Sequence, residues 1–253
     1  MRRLRIDLYD QNKLIFKIFK NDSGKPLSIH FINTYSVGLM YRNSNYRNAL
    51  SDQSIYLPDG WPIIVLAKLR KAKKENIQQM RGVNLMRTIL ANSEPNACKH
   101  YFVGSTPQNL INLRNELSLR YPQAKIVGTY SPPFTEGNEW IHDKSIDFKA
   151  SNADFVWIGL GTPKQDILMG KIAEYFTNAK AILAVGAAFD FLAQNRKEAN
   201  KIIITLKLEW LYRLLQEPRR LWKRYTLFIF YFVLASRFVD FNDQKSCGRH
   251  ELF

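Results

Sequence analysis

The stretch FVWIGLGTPKQDIL, residues 155–168, decides the fold of this chain. Its first half continues an apolar run that begins at residue 153 and is typical of a buried strand. Gly161-Thr162-Pro163 then interrupts the run, and the following residues, to about residue 176, have a helical pattern. A strand that turns sharply into a helix is the repeating unit of a parallel α/β sheet.

The same order recurs earlier in the chain. HYFVG (100–104) predicts a buried strand, and an amphipathic helix over 107–121 follows it. Thr106 is the expected N-cap of that helix, with Pro107 at its first position, where a missing N–H costs nothing. Further strands are predicted at SIHFINT (28–34), AKIVGTY (124–130) and AILAVGAAF (181–189), with helices over 35–50, 61–71 and 82–94.

These units predict an α/β fold with a mostly parallel, Rossmann-like sheet flanked by helices. After about residue 200 the strand patterns stop, and two helices are predicted over roughly 201–217 and 219–238. We therefore predict an α/β domain over residues 1–200 and a helical C-terminal appendage over 201–253.

The charge balance limits the choice of partners. The 253 residues contain 37 Lys+Arg against 22 Asp+Glu, a net charge of +15. This excess favours an anionic partner, which includes nucleic acid, an acidic membrane surface and a phosphate-bearing substrate. The two cysteines, Cys98 and Cys247, have no paired spacing, so neither a disulfide framework nor a zinc site is predicted. The basic N-terminal segment lacks the apolar centre of a secretory signal, and no window reaches the roughly 18–20 apolar residues of a membrane-spanning helix.

Glycines at the predicted strand ends indicate a phosphate site. In an open parallel sheet, ligands bind beyond the carboxyl ends of the strands. Glycine lets backbone N–H groups approach a phosphate closely, and the start of the next helix adds partial positive charge. The glycines concerned are Gly104, Gly159, Gly161 and Gly186, with Lys164 in the turn after Gly161. The alternative is that Thr162 to Gln165 only forms a capping box.

Two carboxylates follow predicted strands. Asp59, in Pro58-Asp59-Gly60, is either a turn or cap residue or a general base that takes the proton of an attacking sugar hydroxyl. Asp190, in GAAFDF, is either a helix cap or a ligand of ribose or base hydroxyls.

The tail combines arginine with an aromatic run. Arg213, Arg220 and Arg224 would share one helix face approximately, since Pro218 favours a kink. The twelve uncharged residues 225–236 contain five aromatics and extend about 18 Å as a helix, short of a span of about 30 Å. With basic residues before them, they favour a helix at a membrane interface. The alternative is a helix packed within the protein or an oligomer.

Taken together, the motifs resemble the WecG/TagA/CpsF family of bacterial glycosyltransferases. The matching segments are YLPDGWPIIV (56–65), RGVNL (81–85), YFVGSTPQNL (101–110), FVWIGLGTPKQD (155–166), AVGAAFDFLA (184–193) and LEWLYRLLQEPRRLWKRY (208–225). The resemblance implies an inverting hexosyltransferase of cell-surface polysaccharide synthesis that needs neither metal nor other cofactor. It implies a UDP-sugar donor and a sugar on undecaprenyl diphosphate as acceptor. It also implies peripheral attachment to the anionic cytoplasmic face of the cell membrane, and it leaves a homo-oligomer open.

The resemblance also assigns residues. It makes Asp59 the base, with Thr34 and Gln165 as further catalytic residues. The donor site would contain Asn33, Arg81, Gly104, Gly159, Gly161, Lys164, Gly186 and Asp190. The acceptor diphosphate would be bound by Arg213, Arg220 and Arg224.

Four positions depart from the family pattern. Asn84 replaces a usual Asp, and RKEA (196–199) replaces Arg-Ala-Pro, which leaves the donor sugar undetermined. Lys207 stands where glycine is usual, and Asp166 where Glu is commoner. None of these changes removes Asp59 or Gln165.

Two other classes of function compete with the transferase. A basic nucleic-acid-binding protein would explain the charge, but no nucleic-acid recognition motif is present in the sequence, and no nucleic acid is expected as partner. A catalytically silent, membrane-bound scaffold of a polysaccharide assembly complex would explain the tail, but it would have no use for Asp59.

Overall fold

The computed structural model describes residues 3–70, 77–93, 97–133 and 152–243, apart from the side chains of Lys201, Arg220, Lys223 and Arg224. Strands β1 to β8 span, in order, Leu4–Leu8, Leu27–Ile32, Ile55–Pro58, Lys99–Gly104, Lys125–Tyr130, Phe155–Gly159, Ala181–Ala184 and Val239–Asp243. Helices α1 to α11 span, in order, Gln11–Phe19, Thr34–Arg42, Ser44–Ala49, Trp61–Leu69, Gly82–Ala91, Pro107–Arg120, Lys164–Ala173, Ala188–Leu192, Lys201–Thr205, Glu209–Gln216 and Pro218–Ser236.

The central sheet has six strands in the order β3-β2-β7-β6-β4-β5, and every neighbouring pair is parallel. Helices cover both faces of this sheet. The predicted α/β fold is therefore confirmed, including the strand at 100–104 and the N-cap Thr106, whose side chain accepts a hydrogen bond from the Asn109 N–H.

Successive side chains of β6 point to opposite faces of the sheet, and both faces are covered by helices. Phe155 and Trp157 point into the cluster formed with α1, α5 and α6, while Val156 and Ile158 point into the cluster formed with α7. All four are fully buried. A side chain of this kind contributes about 1.5–3 kcal/mol when it leaves water, so β6 anchors both layers.

His100 on the neighbouring strand β4 is a core residue with both ring nitrogens bonded. The indole Nε1–H of Trp157 donates to Nδ1 of His100 at 3.1 Å, so the His100 proton is on Nε2, which faces Ser93 Oγ at 2.9 Å. Burial lowers the pKa of His100 to about 3. The imidazole therefore stays neutral and is not a candidate acid or base.

The tail packs against the rest of the protein. Helix α11 lies along α2, and β8 forms a separate two-stranded parallel sheet with β1. One hydrophobic cluster contains Ile32, Val37 and Ala235 and so joins residues from both predicted segments. The division into 1–200 and 201–253 stays a prediction.

Several element bounds differ from the sequence predictions, including the predicted helix over 35–50, which is two helices, α2 and α3. Strand patterns do not stop near residue 200, because β8 lies at 239–243, and β1 was not predicted. The predicted helix over 201–217 is two helices, since Lys207 has a left-handed φ of 62° between them. The predicted strand over 181–189 ends at Ala184, because Gly186 turns with φ 56° and α8 follows.

Within the described residues, no helix combines the length and apolar character needed to cross a membrane.

Candidate active site

A cleft of about 460 Å³ opens at the carboxyl ends of β2, β3, β6 and β7, and α10 and α11 close one side of it. Most of the predicted site residues line this cleft: Asn33, Thr34, Asp59, Arg81, Gly159, Gly161, Gln165, Gly186, Asp190 and Arg213. A smaller cavity of about 170 Å³, between Arg3, Arg47 and Tyr56, contains none of the predicted site residues.

The remaining predicted residues lie outside the cleft lining or outside the described side chains. Gly104 packs against Gly159 on the adjacent strand, where a Cβ would lie 2.7 Å from the Gly159 carbonyl carbon, and its predicted contact with the donor stays a prediction. Lys164 begins α7 and is not among the lining residues. The side chains of Arg220 and Arg224 are outside the described part, so their predicted contact with a diphosphate stays a prediction.

Backbone bonds hold Asp59 at the end of β3. Its N–H donates to the Ile32 carbonyl at 2.8 Å, and the Met80 N–H donates to the Pro58 carbonyl at 2.8 Å. Gly60, with φ 102°, occupies the N-cap position of α4, and no side chain makes a capping hydrogen bond there. Asp59 therefore does not cap the helix, and its carboxylate accepts a hydrogen bond from Gln79 Nε2 at 3.2 Å instead.

Burial raises the pKa of Asp59 above the ordinary range of an aspartate. Arg213, the Gln79 hydrogen bond and Arg81 act in the opposite direction, while the nearby charge of Glu209 raises the pKa further. A desolvated carboxylate with a raised pKa is a stronger proton acceptor than one in water. Asp59 is thus a carboxylate in the cleft whose pKa is raised by burial.

A network of arginines and glutamates surrounds Asp59. Arg81 Nη2 lies 2.8 Å from Glu209 Oε1 and 3.7 Å from Glu198 Oε2. Arg213 Nη2 lies 3.3 Å from Glu209 Oε1, and Arg87 also pairs with Glu198. These pairs connect α10 of the tail with the N-terminus of α5. The two glutamates were not predicted from the sequence, although Glu209 lies within the quoted segment 208–225.

Gln165 bridges the ends of two strands. Its Oε1 accepts a hydrogen bond from the Gly161 N–H at 3.0 Å, and its Nε2 donates to the Ala184 carbonyl at 3.0 Å. The capping-box alternative is wrong in its detail, because the N-cap of α7 is Pro163 and Gln165 bonds to Gly161 rather than to Thr162. Gly161 has φ 76° and open space around the position of a Cβ, while its own N–H and carbonyl are both bonded to Gln165.

A cluster of buried polar side chains supports the loop that contains Gly161. His30 Nδ1 lies 2.8 Å from Asp166 Oδ1, and the Tyr46 hydroxyl donates to Asp166 Oδ2 at 3.4 Å. Burial, and then the charge of Asp166, raise the pKa of Tyr46 well above its ordinary value, so Tyr46 stays a donor. Asp166, which departs from the family pattern, thereby ties the first turn of α7 to β2.

Polar groups at the ends of β2 and β7 have protein partners as well. Asn33 Oδ1 caps α2 by accepting from the Ser36 N–H at 3.1 Å, which places Thr34 at the start of that helix, in the cleft. Asp190 accepts from Asn109 Nδ2 at 2.9 Å and pairs with Arg196 Nε at 3.3 Å. Arg196 in turn reaches Glu217 at 2.6 Å, which is a second link between the sheet and the tail.

Metal ligands are not clustered in the part of the chain that the structure describes: no three His, Cys, Asp or Glu side chains are grouped as a metal site there.

A parallel α/β sheet with a polar cleft at its carboxyl edge, a desolvated aspartate and flanking arginines offers cations for a phosphate-bearing substrate and a carboxylate for proton transfer. Residues 2–243 match the family described as Glycosyl transferase WecG/TagA/CpsF family, and the chain belongs to it. The protein is therefore a glycosyltransferase, which favours an enzyme over the scaffold and nucleic-acid-binding alternatives.

Two curated relatives carry the same name, N-acetylglucosaminyldiphosphoundecaprenol N-acetyl-beta-D-mannosaminyltransferase. The protein from Bacillus spizizenii is 29% identical over 183 residues, which cover 72% of this chain and 68% of the relative. The protein from Bacillus subtilis is 26% identical over 186 residues, again 72% of this chain and 68% of the relative.

Proposed function

We propose that this protein transfers a hexose or N-acetylhexosamine from a UDP-sugar to a sugar carried on undecaprenyl diphosphate, with inversion at the anomeric carbon and Asp59 as the base. The names of the two relatives support an acceptor of this kind. The observation that carries the mechanism is the position of Asp59, in the cleft and beside Arg81 and Arg213.

The proposed reaction is a single displacement. The acceptor hydroxyl forms a bond to the anomeric carbon while the bond from that carbon to the donor phosphate oxygen breaks. Asp59 takes the hydroxyl proton, and the electron pair of the broken bond leaves with UDP. Inversion follows because the hydroxyl attacks from the face opposite the leaving group.

UDP is proposed to lie across the ends of β6 and β7. The open space at Gly161 leaves room for a phosphate, and the N-terminus of α7 favours negative charge there. Gln165 fixes the loop that contains Gly161. Asp190, at the other side of the cleft, is proposed to face the nucleoside hydroxyls.

Arginines, rather than a divalent metal, are proposed to neutralise the diphosphate. Each guanidinium is a planar fork that binds phosphate through two N–H groups at once. Arg81 and Arg213 line the cleft, and Arg220 and Arg224 follow in the tail. Transfer that continues in EDTA supports the proposal, whereas loss in EDTA with recovery on adding Mg²⁺ or Mn²⁺ would contradict it.

Peripheral attachment to the anionic cytoplasmic face of the membrane is proposed for α11 and its neighbours. The acceptor diphosphate lies at headgroup level, so the cleft has to reach that surface. Large apolar side chains of α11 are exposed: Trp222, Leu227, Ile229, Phe230, Val233 and Leu234. Such a face inserts shallowly, and each nearby Lys or Arg adds about 1 kcal/mol at an anionic surface.

The test of the proposed function is Asp59→Asn in the full-length protein. Removing a general base lowers turnover by about 10²- to 10⁴-fold, while binding of UDP, measured by thermal shift, should persist. Asp52→Asn is the matched control, because it makes the same chemical change at an exposed position before β3 and outside the cleft. Near wild-type transfer by Asp59→Asn would remove Asp59 from the mechanism.

A further inference from the structure

Glu209 is the one carboxylate that contacts both arginines beside Asp59 among the described ion pairs. Its Oε1 lies 2.8 Å from Arg81 Nη2 and 3.3 Å from Arg213 Nη2. Glu209 is the first residue of α10, Arg213 is one turn further along the same helix, and Arg81 is the N-cap of α5. A single oxygen of Glu209 thus joins the tail to the central domain at the cleft.

The contact between Arg81 and Glu209 is largely shielded from water, whereas Arg213 is more open. The side chains of Arg81, Glu209 and Arg213 are 11%, 20% and 37% exposed. Charge pairs at such a position are stronger than pairs in open solvent, and loss of one partner leaves the other charge poorly solvated. Without Glu209, Arg81 would keep its longer contact with Glu198, and Asp59 would be the nearby acidic group in the cleft for both Arg213 and Arg81.

An arginine that pairs with the base would harm the reaction in two ways. It would hold the carboxylate that has to accept the acceptor proton, and it would use N–H groups that the diphosphate needs. Each contact with Glu209 uses one terminal nitrogen, and a guanidinium has five N–H donors, so both arginines keep donors for a phosphate.

We propose that Glu209 is a positioning residue for the transfer, which holds Arg81 and Arg213 at the side of the cleft and keeps them from pairing with Asp59. The inference rests on the proposed function, in which Asp59 is the base. Neither relative's name nor the family description assigns such a residue.

The charges that face Asp59 give this proposal a direction in pH. Arg213 and Glu209 face it from α10, Arg81 from the start of α5, and Gln79 donates a hydrogen bond from the preceding segment. Arg213 and Arg81 lower the pKa of Asp59 and Glu209 raises it. Replacing Glu209 by neutral Gln therefore leaves the two arginines unopposed, so Asp59 becomes a weaker base that stays ionised to lower pH.

The experiment measures kcat/KM against pH for the full-length protein. The donor is UDP-N-acetylmannosamine and the acceptor is a short-chain analogue of N-acetylglucosaminyl-diphospholipid. For Glu209→Gln we expect a fall of roughly tenfold to a hundredfold near neutral pH, the size that a misplaced catalytic constellation produces. We also expect the acid limb of the profile to move to lower pH.

Glu198→Gln is the matched control, since Glu198 also pairs with Arg81 but is not among the cleft-lining residues. Its acid limb should stay at the wild-type position. Glu209→Asp keeps the charge and should recover part of the lost rate together with the wild-type limb, and it serves also if the Gln variant folds poorly.

Three results would overturn the inference: an unchanged rate for Glu209→Gln, a lower rate with the limb in place, or no recovery by Glu209→Asp. In each of these cases, loss of transfer by Asp59→Asn would leave the proposed function standing. Retained transfer by Asp59→Asn would instead remove the proposed function itself.

Discussion

Gly38 of α2 and Phe228 of α11 are packed so closely that a side chain on Gly38 would require α11 to shift. A Cβ there would lie 3.0 Å from both the ring Cδ1 and the carbonyl oxygen of Phe228, and 3.2 Å from Tyr231 Cβ. The Tyr35 and Phe228 rings meet edge to face, with centroids 4.5 Å apart, beside this contact. One face of the tail helix is therefore a packed interface, although its other face is exposed.

Gly38→Ala is expected to destabilise the protein. Glycine to alanine within a helix normally gains up to about 1 kcal/mol, but forcing a methyl group into a filled interface costs about 1–3 kcal/mol. Gly170→Ala in α7 is the control, because no atom lies within 4 Å of the added Cβ. Urea unfolding should place the Gly38 variant below wild type and the Gly170 variant at or above it. Equal stability of the two variants would show that α11 shifts to accommodate the methyl group without lowering the free energy of unfolding.

Trp222→Ser combined with Phe230→Ser is expected to weaken binding to anionic vesicles. These side chains are 58% and 60% exposed, so their replacement removes apolar surface without opening a core. Leu119→Ser, at a side chain that is 79% exposed on α6, is the control for loss of an exposed apolar residue elsewhere. Co-sedimentation with vesicles of mixed neutral and anionic lipid measures the effect.

Vesicle binding that is equal for the double variant and the Leu119 control would place the membrane contact on another surface. Point changes are sharper here than removal of residues 201–253. Such a deletion would also take away β8 and uncover α2, so lost activity would have two causes.

Asp59→Asn is expected to raise the melting temperature at neutral pH while it lowers transfer. A carboxyl group whose pKa is raised on folding contributes its stability below the unfolded pKa, about 3.9, and loses it as the pH rises through the folded value. At neutral pH ionised Asp59 is therefore a cost, which the amide removes. The gain should disappear in acid.

Asp22→Asn is the counterpart of opposite sign for this measurement, because Lys180 lowers the pKa of exposed Asp22. It should give no gain at neutral pH. A melting temperature that does not rise for Asp59→Asn would mean that attraction to Arg213 and Arg81 fully offsets the free energy of desolvating Asp59.

Lys207→Gly is expected to be more stable than Lys207→Ala by about 1 kcal/mol, since a left-handed residue with a Cβ costs roughly that amount. Lys207 has φ 62°, and its ammonium lies 5.2 Å from the centre of the Trp61 ring. Both variants lose that cation, so their difference isolates the backbone. At exposed Lys13, inside α1, the order should reverse, with Gly less stable than Ala by about 1 kcal/mol. Thermal unfolding of the four variants measures the difference in stability between Gly and Ala at each position.

Much of the fold was predictable because its strands are buried on both faces. The apolar runs YFV in β4, after His100, and FVWI in β6 are continuous, and the turns after them contain glycine and proline. Strands β1 and β8 were missed because LRIDL and VDFND alternate charged and apolar residues and pair with each other across most of the chain. The sequence contains one indication of the break at Lys207, because the family usually has glycine at this position.

The candidate site was predicted in part. Asp59 and Gln165 stand in motifs, so a resemblance was enough to select them. Glu198 and Glu209 could not be given their contacts from the sequence, because an ion pair depends on where two distant segments meet in space. Their partners, Arg81 and Arg87, are more than 100 positions away along the chain.

The pairing of β1 with β8 also determines when the first strand can find its partner during translation. Leu4 lies opposite Val239, and the ribosome adds about 5–20 residues per second, so roughly 10–50 s pass before the first strand meets its partner. Throughout that time the newborn chain presents an unpaired edge, the kind of surface that chaperones bind. The helices that complete the cleft lie between the two strands and emerge late. Each newly made molecule can therefore close its small sheet only after residues 239–243 have left the ribosome.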